Sequence, residues 1–226
     1  MDDISKPVIG ITCGDLNGIG REVIMKTFDN PEILDICTPV VFASSKVASY
    51  HRKAVNMENF NFHIIKDFGQ MTENRPNLLN SWDDEVNIEL GKESSTVGAY
   101  ALKSIEHACQ AYLDKKIDAI VTAPIHKNTI QSEDFKFTGH TDYLQNRFGG
   151  DAMMLMVSDE MRMALATVHI PISKVAGAIN TEDLTRKILA LSKTLNRDFH
   201  IPKGKIAVLA LNPHAGDGGV IGNDDD

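Results

Sequence analysis

The feature that most narrows the folds open to this chain is a recurrence of short apolar runs separated by segments of helical spacing. Residues 6–12 (Val8, Ile9, Ile11), 39–43 and 117–122 read as strands, and further strand candidates follow at 152–157, 163–168 and 205–211. Between them, residues 21–28 and 45–55 suit helices, the latter with Val47, Tyr50 and Ala54 on one face. A longer helix begins at Ser95 after a capping serine, with Leu102, Ile105, Cys109, Tyr112 and Leu113 at three- and four-residue steps. Another starts with Thr181 as cap and carries the stripe Leu184, Ile188, Leu191 and Leu195. Strands that are apolar throughout must be covered on both faces, which calls for α/β/α layers around a mostly parallel sheet. Met161 and Arg162 read as a turn joining an antiparallel pair, so the expected sheet is mixed. Residues 68–93 are polar and lack periodicity, an irregular excursion with short strands.

Composition bounds the function classes. The chain has 226 residues and a formal net charge of −8, which opposes any general attraction to nucleic-acid phosphate. An anionic small molecule would need a local cluster of cations or N–H donors. Cys13, Cys37 and Cys109 are scattered, which argues against a disulfide framework or a thiolate zinc site. Residues 1–6 carry two acids and no apolar stretch, so no signal peptide is expected. No apolar run approaches the roughly 20 residues that span a bilayer. A cytoplasmic protein, not bound to membrane or nucleic acid, is the expectation.

Chemistry-bearing residues gather on loops at strand ends, where open α/β sheets place their ligands. Four of the eight histidines, His126, His140, His169 and His214, lie on such loops or in the compact polar segment 138–142. Neutral imidazole is a common ligand for divalent metals, so His169 and His214 are candidate metal ligands. Their separation matches no local zinc signature, and each equally suits a histidine that orders its own loop. Asp217 suits a further ligand or a cap of the glycine-rich turn. His140 and Thr141 follow the permissive Gly139 and combine a titratable ring with a hydroxyl. They could grip an anion or assist proton transfer, or simply close a turn. Lys127 could meet an anion at the same sheet edge, or be solvated. The first glycine loop, with Gly14, Gly18 and Gly20, is not a G-x-G-x-x-G dinucleotide fingerprint, and Asp15 and Asn17 suit backbone bonding there.

Five segments, taken together and in order, carry a resemblance. They are residues 12–20 (TCGDLNGIG), 122–127 (TAPIHK), 137–141 (FTGHT), 164–171 (ALATVHIP) and 211–219 (LNPHAGDGG). The set resembles the 4-hydroxythreonine-4-phosphate dehydrogenase family of vitamin B6 biosynthesis across nearly the whole chain. The resemblance implies the isocitrate/isopropylmalate dehydrogenase-like fold, two α/β/α domains with a cleft, here 1–137 and a partial 138–226. It implies a homodimer with active sites at the interface. It places substrate contacts at His140 and Thr141 and the divalent metal (zinc, magnesium or cobalt) at His169 and His214.

The implied reaction is NAD- or NADP-dependent oxidative decarboxylation of 4-phosphooxy-L-threonine to 3-amino-2-oxopropyl phosphate and CO₂, in pyridoxine 5′-phosphate biosynthesis. This fold takes NAD or NADP without the glycine fingerprint, which accounts for its absence here. The first loop departs from the family's usual Pro-Gly-Asp/Glu-Pro-Ala-Gly. The resemblance also implies a C-terminal third beyond Asp226, holding a third metal histidine, phosphate-binding groups and most cofactor contacts. Two alternatives follow: a sister dehydrogenase acting on 4-phosphoerythronate or a cyclic diol acid, and a truncated fragment that binds without turnover.

Overall fold

A computed structural model describes residues 6–223. The chain divides into two compact units, Met1–Gly150 and Asp151–Asp226.

The first unit contains β1 (Val8–Thr12), α1 (Gly20–Phe28), the single-turn α2 (Ile33–Ile36), β2 (Thr38–Ala43), α3 (Ser45–Ala54), β3 (His63–Ile65), β4 (Asn77–Asn80), α4 (Ser95–Leu113), β5 (Ala119–Thr122) and α5 (His140–Phe148). Its five strands form one sheet in the order β3-β4-β2-β1-β5, every pairing parallel. All six residues of β2 are buried, as a central strand covered on both faces must be. On one side Ile24, Met25 and Phe28 of α1 and Val47 of α3 pack with Ile11, Val41 and Leu78. On the other, Ala108 and Ala111 of α4 meet Val40, Phe42 and Ile117. Ser104 stitches α4 to the sheet: its hydroxyl donates to the Phe42 carbonyl (2.6 Å) and accepts from the Cys13 N–H (2.9 Å).

The other strand and helix types agree with the periodicity reading, but β3 has no strand signal in the sequence and the polar segment 138–142 opens helix α5 at His140; the inward faces of two helices also need correction. In α3 the inward residues are Val47, Ala48 and His51, whereas Tyr50 is 45% exposed and Ala54 is exposed. The helix turns so that the His51 ring reaches the Leu16 carbonyl (2.8 Å), an interaction that apolar counting does not register. In α4 Leu102, Ile105 and Cys109 are buried as the spacing requires, but Tyr112 and Leu113, in its last turn, are exposed. Tyr143 of α5 stacks on Phe135 and packs edge-on against Phe137.

The second unit holds β6 (Leu155–Val157), β7 (Arg162–Ala164), the single-turn α6 (Val175–Ala178) and α7 (Thr181–Arg197). β6 and β7 pair antiparallel, but as a separate two-stranded sheet, and the turn between them is Ser158–Met161, not Met161–Arg162: Arg162 already belongs to β7, opposite Val157. Parallel and antiparallel pairings are both present, then, in different sheets. Asn180, not Thr181, caps α7, its side-chain oxygen accepting from the Asp183 N–H at 2.9 Å. Leu191 and Leu195 are its buried residues. Residues 205–211 form no strand, contrary to their apolar pattern; Leu209 is 86% exposed. A strand needs a ladder partner, and β6 and β7 pair only with each other. Among the described residues no helix is long and apolar enough to cross a membrane.

Candidate active-site loops

The reversal of strand order between β2-β1 and β1-β5 makes the carboxyl ends of β1 and β5 the topological switch point, the usual ligand location in open α/β sheets. The loops after these strands are tied together. The Asp15 N–H donates to the Pro124 carbonyl at 2.8 Å, and the Ala123 N–H to the Thr12 hydroxyl at 3.3 Å. Gly14 has φ +66°, and a Cβ there would come within 2.4 Å of the Pro124 oxygen, so only glycine allows this approach. Asn17 braces the loop from the other side, its amide donating to the Lys92 carbonyl (2.8 Å) and its oxygen accepting from the Glu89 N–H (3.0 Å). The Asn17 N–H in turn donates to the Asp15 carboxylate at 3.1 Å, so both residues bond backbone as the sequence suggested.

Behind this loop lies a residue that sequence reasoning passed over. Arg21 is only 4% exposed; its Nη1 donates to the Asp15 carbonyl at 3.3 Å, while Nε and Nη2 have no partner. Burial works against its charged form, partly offset by Cys13 and Asp15. A signal was present: Arg21, Ile24, Met25 and Phe28 follow the i, i+3, i+4, i+7 rule of a buried helix face. Nearby His51 is pushed down to about 4, first by burial and then by the Arg21 charge, against the opposing hydrogen bond to Leu16.

At the end of β5, His126 is held by its surroundings. Its Nε2 is 3.4 Å from a Glu93 carboxylate oxygen, and its Nδ1 accepts from the Thr129 N–H at 3.4 Å. Lys127 is exposed, and its Cε would be 3.9 Å from a Cβ placed on Gly139. Lys127 and the loop that opens α5 are therefore neighbours. Gly139 is the N-cap of α5 and supplies no side-chain cap. Thr138 bonds Asp142 across the first turn. His140 and Thr141 are half-buried at the head of the helix, and the His140 Nε2 is buried without a hydrogen-bond partner. Burial alone lowers the His140 pKa, which keeps the ring neutral near pH 7.

His169 and His214 both belong to the second unit and both are exposed. His169 has φ +56°, an uncommon conformation for a residue with a side chain. His214 precedes a 3₁₀ turn, Ala215–Asp217; its N–H donates to the Asn212 side chain (3.0 Å) and its carbonyl accepts from the Asp217 N–H (3.0 Å). Asp217 thus joins the glycine-rich turn through its backbone. Two imidazoles are a suitable but incomplete donor set for a divalent ion, since at least three protein ligands are usual. Among the described residues no group of three or more His, Cys, Asp or Glu is placed to hold a metal.

Comparison with known proteins decides the family. The family described as pyridoxal phosphate biosynthetic protein PdxA matches residues 35–226. The chain belongs to the PdxA family. A relative from Bacteroides thetaiotaomicron named 4-hydroxythreonine-4-phosphate dehydrogenase is 46% identical over 95% of this chain and 59% of its own length. One of the same name from Sulfurihydrogenibium is 33% identical over 96% of this chain and 66% of its own length. The PdxA-family chain thus spans about three-fifths to two-thirds of the curated relatives it matches. A crystal structure of a 4-hydroxythreonine-4-phosphate dehydrogenase from Burkholderia phymatum matches with TM-score 0.81 at 29% identity, covering 97% of this chain and 67% of that one. A terephthalate 1,2-cis-dihydrodiol dehydrogenase from Burkholderia xenovorans matches at TM-score 0.62 and 20% identity, a likeness of fold alone. The expected isocitrate/isopropylmalate dehydrogenase-like α/β class is borne out by these neighbours and by the parallel central sheet.

Proposed function

We propose that this PdxA-family polypeptide is a dehydrogenase acting on a CH–OH group, oxidising and decarboxylating 4-phosphooxy-L-threonine with NAD or NADP in pyridoxine 5′-phosphate biosynthesis. The observation that carries the proposal is the family match over residues 35–226 together with relatives bearing that dehydrogenase name. In this reading the His140–Thr141 loop binds the substrate. Its chemistry suits the task. A neutral imidazole with a spare ring nitrogen can accept from a hydroxyl or donate to an oxyanion, according to tautomer. The Thr141 hydroxyl adds a second donor or acceptor beside it, and the uncapped start of α5 offers backbone N–H groups. These groups orient the polar end of the substrate; the nicotinamide, when bound, accepts the hydride.

His169 and His214 are proposed as two nitrogen ligands of a divalent ion (zinc, magnesium or cobalt), completed by groups outside the described set. Titration calorimetry with zinc checks this: His214→Ala should weaken binding at least tenfold, and unchanged affinity contradicts the assignment. The same reading carries a cytoplasmic location, a homodimer with active sites at its interface, and a domain boundary at 137/138. Formation of reduced nicotinamide from 4-phosphooxy-L-threonine with a divalent ion tests the whole proposal. His140→Ala should lower kcat/KM by about 10²-fold or more, as loss of an acid–base or orienting group does; activity equal to wild type removes His140 from the site.

A further inference from the structure

With a net charge of −8, the protein's overall field repels an anionic substrate, so binding requires local positive charge. Lys127 is the cation the fold brings to the His140 loop. Its Cε stands 3.9 Å from the Cβ position of Gly139, and the ammonium lies one bond farther along the side chain. Glu93 pairs with His126, and Asp142, the acid in the first turn of α5, is bonded by Thr138. Among the described residues no carboxylate lies within ion-pair distance of Lys127. His140, the residue after Gly139, has its Nε2 buried without a partner. An exposed ammonium beside the loop that carries His140 and the Thr141 hydroxyl is complementary to the carboxylate of a β-hydroxy acid, whose hydroxyl-bearing carbon lies one carbon beyond the one next to the carboxylate.

We propose that Lys127 receives the carboxylate of the hydroxy-acid substrate, alongside His140 and Thr141. The proposal rests on reading that loop as the substrate site. One ammonium balances the single charge of a carboxylate, whereas a phosphate monoester, at about −1.5 to −2 near neutral pH, would be left under-compensated. The role is direct contact with substrate, so the lysine should govern affinity for the acid and leave the fold unchanged.

Titration calorimetry with 4-phosphooxy-L-threonine, without nicotinamide so that no turnover occurs, tests this on wild type, Lys127→Met, Lys127→Arg and His140→Ala. Loss of one charge-assisted hydrogen bond should weaken Lys127→Met about 10- to 100-fold, and Lys127→Arg should stay within a few-fold of wild type. With the carboxamide analogue of the same substrate, wild type and Lys127→Met should bind alike. Wild-type affinity in Lys127→Met, with a loss in His140→Ala, overturns the lysine assignment while the substrate loop stands. A Lys127→Met penalty that persists on the carboxamide overturns the carboxylate assignment and moves the lysine to the phosphate. No saturable binding by wild type overturns both readings.

Discussion

The two compact units differ in how they hold their functional residues. In Met1–Gly150, a five-stranded parallel sheet has its central strand β2 covered on both faces, and its strand-end loops are tied by bonds such as Asp15 to Pro124 and Asn17 to Lys92. In Asp151–Asp226, the regular sheet is two strands, Leu191, Leu195 and Gly216 are the buried ones among the described residues, and the candidate metal histidines sit on exposed loops. A closed layered core fixes a site through packing. A unit with few buried residues leaves its donor groups to be fixed by whatever they bind.

The comparison breaks most visibly if truncating a large apolar residue costs the same in both units. Phe42→Ala removes a fully buried ring between α4 and the sheet and should cost about 3–5 kcal/mol in denaturant unfolding. Leu209→Ala, at an exposed position in the second unit, should change stability by less than about 0.5 kcal/mol. A loss above about 2 kcal/mol for Leu209→Ala would mean that this residue is covered in solution, and the contrast would fall.

Acid sensitivity sharpens the account of the first unit. The His51 ring titrates at about 4 in the fold against 6.5 when free, so the unfolded chain takes up the proton first as pH falls. Stability is therefore complete above pH 6.5 and is lost progressively between 6.5 and about 4, by up to about 3 kcal/mol. Urea melts across that range should show a flatter profile for His51→Gln. An unchanged acid slope would mean that the ring is solvated.

Smaller still is the expected effect at Arg21. A buried guanidinium with two unpartnered nitrogens is a cost to folding, so Arg21→Met should raise stability, by about 1–3 kcal/mol on the scale seen when buried charges are replaced by apolar groups. It should also raise the pKa of His51, because the Arg21 charge is the second cause of its depression. NMR titration of the ring reads that shift directly; no upward movement would place the guanidinium elsewhere.

Much of the first unit was legible in the sequence because its signals are local. Apolar runs marked β1 and β2, and three- and four-residue spacing marked α4. The misses have physical reasons. β3 is three residues long and gains its identity only by pairing with β4. His51 and Arg21 occupy inward helix positions with polar side chains, which a reading based on apolar stripes assigns to solvent. Residues 205–211 have the composition of a strand, but a strand is defined by its neighbour. The His140 loop was visible as a constellation of types. Its proximity to Lys127 was not, because it depends on where β5 and α5 sit in space.

The central claim is that the His140 loop binds an anionic hydroxy acid for oxidation. The most direct measurement is the absorbance of reduced nicotinamide formed from 4-phosphooxy-L-threonine with a divalent ion, comparing wild type with His140→Ala. The account predicts turnover by wild type and at least about a hundredfold loss of kcat/KM in the variant, with its melting temperature unchanged. Equal turnover by the two proteins, or none by wild type, would contradict it.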